Sequence, residues 1–112
     1  YEQPSGTALW REHLIAEITG PMSLSVVDMD GDNDQDIIVG EHNMKKPEQA
    51  RLIQFSNRDG FGNQWQPQLI YKGDEHHNGA QVADLDSDGD LDIISIGYGH
   101  SKIIVYENKT LE

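Results

Sequence analysis

The chain comprises 112 residues (12.6 kDa) with no cysteine and with 20 acidic against 8 basic residues, a formal charge of −12. That length fits one small domain whose single core is marginal, and the support it needs cannot come from disulfides. The charge has the wrong sign for nucleic-acid phosphates or a polybasic membrane patch, and no apolar run nears the ~18 residues of a spanning helix.

In chain order, an extended segment is expected at 10–15, then strands at about 23–28, 36–40, 51–56 and 65–71, and again at about 79–84, 92–97 and 102–107. The strand reading rests on β-branched and aliphatic runs (Leu24-Ser25-Val26-Val27, Ile37-Ile38-Val39, Ile93-Ile94-Ser95-Ile96) separated by polar turns. Half of the acid falls in two of those turns: Asp28, Asp30, Asp32, Asp34 and Asp36, then Asp84, Asp86, Asp88, Asp90 and Asp92. Such density is self-repelling and needs neutralising if the chain is to fold. Each turn reads Asp-x-Asp-x-Asp-x-x-x-Asp, so alternate carboxylates on a curled loop can face one centre. An all-oxygen set suits a hard cation, and Ca²⁺ tolerates its flexible geometry better than Mg²⁺. Two Ca²⁺ sites are therefore expected. Gly89 and Asn33 stand where a sharp turn takes positive φ, and Met29 and Leu85 are expected to turn into the core. A helix–loop–helix calcium motif is excluded, because its twelfth position requires Glu. Val39 and Ser95 stand there.

The second loop begins at 84 where the first begins at 28, an offset of 56. Trp10–Ile15 aligns with Trp65–Ile70, and Leu52–Asn57 with Ile103–Asn108, which makes the chain a repeat of four-stranded units. The segments Val27-Asp-Met-Asp-Gly-Asp-Asn-Asp-Gln-Asp-Ile-Ile-Val-Gly40 and Ala83-Asp-Leu-Asp-Ser-Asp-Gly-Asp-Leu-Asp-Ile-Ile94 resemble the FG-GAP/VCBS repeat family of integrin-α-like propellers. Asn33 and Gln35 depart from its pattern. The resemblance implies an all-β fold of two four-stranded antiparallel β-propeller blades that bind calcium in their first hairpins. Its expected divisions are an orphan outer strand at 10–15, blade one at 21–71 and blade two at 76–108. The outer strand of blade two would be supplied by 10–15 of the same or another chain. Two blades do not close a ring, so a homo-oligomer or a piece of a longer propeller chain is expected. No signal-peptide pattern is present, and Leu111-Glu112 reads as a junction; a secreted or cell-surface location is what the resemblance implies.

The end of each unit opposite the acidic loop gathers His42, His76, His77, Asn78, Tyr98 and His100, the candidate ligand-binding set. Adjacent His76 and His77 cannot both face one centre in extended backbone. The plain reading is polar loops capping blade ends. The sharper one is a site in which imidazoles bind a transition metal or act as a base, with His76, His77 and His100 the catalytic candidates. His76-His77-Asn78-Gly79-Ala80-Gln81 is similar to segments in propellers of secreted polysaccharide lyases and of aldos-2-ulose dehydratase. Trp10 and Trp65, and Phe55 and Tyr106, recur at equivalent sites and are expected in packing, whereas Tyr71 and Tyr98 could stack on a sugar. The expected function is calcium-dependent recognition of an extracellular ligand, most plausibly a carbohydrate, otherwise a protein. A fragment of a sugar-active lyase or dehydratase and a purely structural adhesion repeat are the alternatives.

Overall fold

A computed structural model describes residues 1–3, 6 and 9–109; Leu111 and Glu112 lie outside the described residues. The chain is all-β. Seven strands run β1 (Pro21–Val27), β2 (Asp36–Glu41), β3 (Arg51–Asn57), β4 (Trp65–Lys72), β5 (Gln81–Ala83), β6 (Asp92–Ile96) and β7 (Ile103–Tyr106), with one 3₁₀ turn at Pro47–Gln49. They form a four-stranded antiparallel meander, β1-β2-β3-β4, and a three-stranded one, β5-β6-β7. The central strands β2 and β3 are shielded on both faces, which explains their near-continuous apolar character.

The registers repeat. Val27 pairs with Asp36 across the first acidic loop, and Ala83 with Asp92 across the second. The two sheets meet through a core of Met29, Ile38, Leu52, Ala80 and Ile93, with Val27, Ile70, Val82, Leu91 and Tyr106 packed around it. Burying side chains of this size is worth about 1.5–3 kcal/mol each, so this shared core is the main tie between the sheets. A second cluster, Val39, Ile53 and Phe55, lies on the other face of the first sheet under Ile18, Ile37 and Trp65.

Along β1 the expected polarity is inverted: Met22, Leu24 and Val26 are exposed, while its serines point at the second sheet. Ser23 Oγ donates to the His76 carbonyl at 3.0 Å, and Ser25 Oγ donates to the Ala80 carbonyl. These contacts need close backbones. A Cβ on Gly40 would lie 2.7 Å from the His76 Cβ.

Four expectations change. β5 is shorter than the expected 79–84, because the carbonyl of Ala80 is taken by Ser25 and a Cβ on Gly79 would lie 2.8 Å from that of His76. Among the described residues, 10–15 do not complete the second sheet of their own chain: Arg11 bridges to Glu2, and β7 is the last strand of that sheet. The cause is tethering. Two residues separate β1 from Ile18, which packs on the first sheet, and Ile15 and Ala16 lie beside β1 and Phe55. Finally, Met29 is buried as expected, but Leu85 is 47% exposed. Trp10 is likewise exposed, whereas its repeat partner Trp65 packs on the second cluster.

Candidate metal-binding loops and the histidine end

Both acidic loops curl around their first aspartate and share most of their hydrogen bonds; the Gly31 amide's bond to Asp28 Oδ1, at 2.8 Å, is particular to the first. Asp28 Oδ1 accepts the Asp32 amide at 3.2 Å, as Asp84 Oδ1 accepts that of Asp88 at 3.2 Å. Asp28 Oδ2 accepts the Asn33 amide at 2.9 Å, as Asp84 Oδ2 accepts that of Gly89 at 3.1 Å. The next turn is closed by Asp34 donating to Asp32 and Asp90 donating to Asp88, each at 2.9 Å. Asn33 and Gly89 take positive φ as expected, and so do Gly31 and Ser87 two residues earlier. Ser87, at φ 63, is the position where the second loop holds a side chain in strained backbone.

The aspartates take two roles, pinning backbone and facing a possible ion, and Asp92 takes both. Asp36 and Asp92 are buried and serve as backbone pins: Asp36 accepts Met29 at 3.0 Å and Asn57 at 2.9 Å, and Asp92 accepts Leu85 at 3.0 Å and Asn108 at 2.9 Å. The Asp34 carboxylate reaches the Gly60 turn, where a Cβ on Gly60 would lie 2.8 Å from its Oδ1. Asp90 is buried. Asp28, Asp30 and Asp32 bring one oxygen each within 4.8 Å of the others, and so do Asp84, Asp86 and Asp92. Asp88 Oδ2 is shielded from solvent with no hydrogen-bond partner. A carboxylate oxygen in that state is satisfied by a cation, a proton or a bound water, and among three clustered carboxylates a cation also relieves the charge.

The electrostatics agree with the crowding. Desolvation, reinforced by Asp36 and Asp32, raises the Asp30 carboxyl above its usual range. Desolvation raises Asp86 too, with Asp88 and Asp92 adding to it, and raises Asp34, with Asp32 and Asp28.

At the opposite end, beyond the Pro21–Glu41 pair, two buried glutamates organise the chain. Glu41 Oε1 accepts the Arg51 amide and Nε at 2.9 and 2.8 Å, and Oε2 accepts Arg51 Nη2 at 2.9 Å and the Thr19 amide at 2.8 Å. Burial alone would raise its carboxyl, but the guanidinium and the two amides overcome this and hold it below the usual range. Glu75 is treated alike: burial opposes ionisation, and His42 with the amides of Gly99 and Tyr98 overcomes it.

Around Glu75 the histidines take distinct places. His42 Nδ1 donates to Glu75 Oε2 at 2.7 Å, and the His42 and His77 rings meet edge to face, centroids 4.8 Å apart. Tyr98, 76% exposed, lies beside His77 at 5.8 Å. His76 points elsewhere, the chain turning at His77 and Asn78 with the Gly79 amide on the His76 carbonyl; it is fully buried, shares a 2.6 Å hydrogen bond with Ser95 Oγ and faces Tyr106. Burial depresses its pKa. His100 Nδ1 accepts the Lys102 amide at 3.1 Å, so its Nε2 carries the proton and donates to the Glu75 carbonyl at 3.0 Å. Both of its nitrogens are thereby committed to backbone. Asn78 is exposed, and its amide donates to the Ile96 carbonyl at 3.3 Å. His13 pairs with Glu2 on the surface. The sequence places Glu41 and Glu75 at this end beside the histidines but assigns neither a role, and Arg51 carries no signal in it.

Comparison of the chain with protein-family models, with curated proteins and with solved structures returns no match.

Proposed function

We propose that the chain is a calcium-binding module of two FG-GAP/VCBS-type propeller blades whose histidine end presents an extracellular ligand surface, carbohydrate being the favoured class. The reading rests on residues and geometry internal to the chain. Its carrying observation is Asp88 Oδ2, an ionisable oxygen enclosed by its own loop without a partner. Its loop repeats four of the first loop's amide–carboxylate hydrogen bonds at an offset of 56 residues. Two Ca²⁺ would add four positive charges and bring the formal charge from −12 to −8. The ions would lie among Asp28, Asp30 and Asp32 and among Asp84, Asp86, Asp88 and Asp92, supplying charge compensation that the backbone amides only begin.

Blade geometry is supported by the meander order of both sheets and by the adjacency of their first strands, β1 and β5. The radius of gyration, 15.2 Å, exceeds the ~13 Å of a compact chain of this length. With Leu24, Val26, Ile103 and Val105 exposed, that openness fits a unit covered by further blades, from copies of itself or from a longer chain. Tyr98 beside His77 offers a sugar ring an aromatic face, which is the support for the ligand class.

Calorimetric titration tests the calcium reading. Two equivalents of Ca²⁺ should bind, and at ~100 times Kd each should add about 2.7 kcal/mol of stability. A melt that a chelator leaves unchanged would refute it. Solution mass with and without calcium tests the assembly, and a glycan array the ligand class.

A further inference from the structure

We propose that His42, Glu75 and His77 form a second kind of metal site, one for a divalent cation of the zinc class, independent of the acidic loops. One ring nitrogen from each histidine and one oxygen of Glu75 lie within 4.8 Å of one another. A tetrahedral ion with bonds of ~2.0–2.1 Å holds its donors about 3.3 Å apart. The set is close to that spacing: the 2.7 Å contact between His42 and Glu75 opens by about 0.6 Å to admit the ion, and the wider separations, none above 4.8 Å, close onto it.

The donor chemistry decides the metal. Two imidazoles and one carboxylate select a borderline ion such as Zn²⁺, whereas Ca²⁺ favours the all-oxygen loops at the other end of the strands. Three protein ligands leave a coordination position open, and the site has access to water: the His42 side chain is 24% exposed while that of Glu75 is fully enclosed. The remaining Glu75 oxygen is held by the Gly99 amide at 2.7 Å, the kind of outer hydrogen bond that orients a ligating carboxylate.

An ordinary ion pair would account for His42 and Glu75 but not for His77. Its Nδ1 is screened from solvent and has no hydrogen-bond partner, although its ring stands against that of His42. A polar ring atom placed beside a buried carboxylate–imidazole pair and left unsatisfied is accounted for when a cation joins all three.

The test uses the full 112-residue chain in excess Ca²⁺, so that the acidic loops are saturated. One equivalent of Zn²⁺ should be taken from a chromogenic chelator. Co²⁺ in its place should give visible bands of four- or five-coordinate intensity, which Zn²⁺ bleaches and further Ca²⁺ does not. His77→Ala and Glu75→Gln should each weaken Zn²⁺ at least tenfold, while His13→Gln, remote from the site, should change nothing. A weak octahedral Co²⁺ spectrum from the unmodified protein overturns the proposal, and so does Zn²⁺ affinity that survives His77→Ala. Because the spectrum needs no variant, it decides the matter even if a substitution impairs folding. The loops' response to calcium fails or succeeds separately.

Discussion

Replacing Asp36 with asparagine separates the carboxylates that fold the hairpin from those available to an ion. Asp36 is fully buried, and each of its oxygens accepts one backbone amide, from Met29 at 3.0 Å and from Asn57 at 2.9 Å. Asparagine keeps one acceptor and turns an NH₂ toward the other amide. The variant thus loses a charge-assisted hydrogen bond, worth about 1.5–3 kcal/mol, and strands a buried donor at a further ~1–3 kcal/mol. A net loss of about 3 kcal/mol follows, or roughly 12 °C in Tm at ~4 °C per kcal/mol for a domain of this size. The assay is urea denaturation and thermal melting by circular dichroism in a chelator, where no ion contributes. Asp30→Asn is the comparison. Asp30 is exposed and repelled by its neighbours, so its neutralisation should be harmless in chelator and costly only when calcium is present. If Asp36→Asn melts with the unmodified protein in chelator, the division into pins and ligands is wrong.

Three other perturbations follow from the same geometry. Arg51→Met strips the guanidinium from Glu41 and should cost about 1–3 kcal/mol by urea denaturation, less than a fully enclosed pair because the Arg51 side chain is 39% exposed and Glu41 keeps two backbone amides, whereas Glu41→Gln with Arg51→Met together should recover part of it. Gly40→Ala places a Cβ 2.7 Å from that of His76 and should cost at least ~1–3 kcal/mol while exposing His76 to faster deuterium exchange at its ring. Acidification should weaken the fold through Glu41 and Glu75. Their carboxyls lie below the ordinary value of 4.5, so the unfolded chain binds more protons and stability falls as pH drops from about 4.5 through the folded values. Glu41→Gln should flatten that acid limb relative to the unmodified protein; an unchanged slope would refute Glu41 as its source.

The strands of both sheets were readable because β-branched runs flank polar turns, and β2 and β3 fall at or within a residue or two of their expected bounds. The acidic loops were readable because Asp spacing and left-handed residues are local. What failed was long-range. The repeat of Trp10 with Trp65 suggested a common strand, yet Ile18 anchors the preceding segment to the first sheet and leaves Trp10 in solvent. Nothing local marks His76 as a core residue; its burial depends on Gly40 and Gly79 admitting its backbone and on Ser95 meeting its ring. Likewise, Glu75 meets His42 across 33 residues of chain, a pairing that only the meeting of the two sheets creates.

The division among the aspartates changes what a bound ion would do. Asp36 and Asp92 tie the loops to the ends of β3 and β7, through Asn57 and Asn108, without any cation. Asp28 and Asp84 likewise spend both oxygens on the amides of their own turns. The hairpins are therefore shaped before an ion arrives, and little ordering entropy is left for binding to overcome. The cost of that preorganisation is electrostatic. Asp30 and Asp86 are held where desolvation and neighbouring carboxylates resist ionisation, so the metal-free fold carries repulsion that salt should partly screen. An ion bound there gains affinity from removing this repulsion. It follows that neutralising one exposed loop aspartate should narrow the stability gap between calcium and chelator from both sides, raising the metal-free melt slightly while lowering the loaded one.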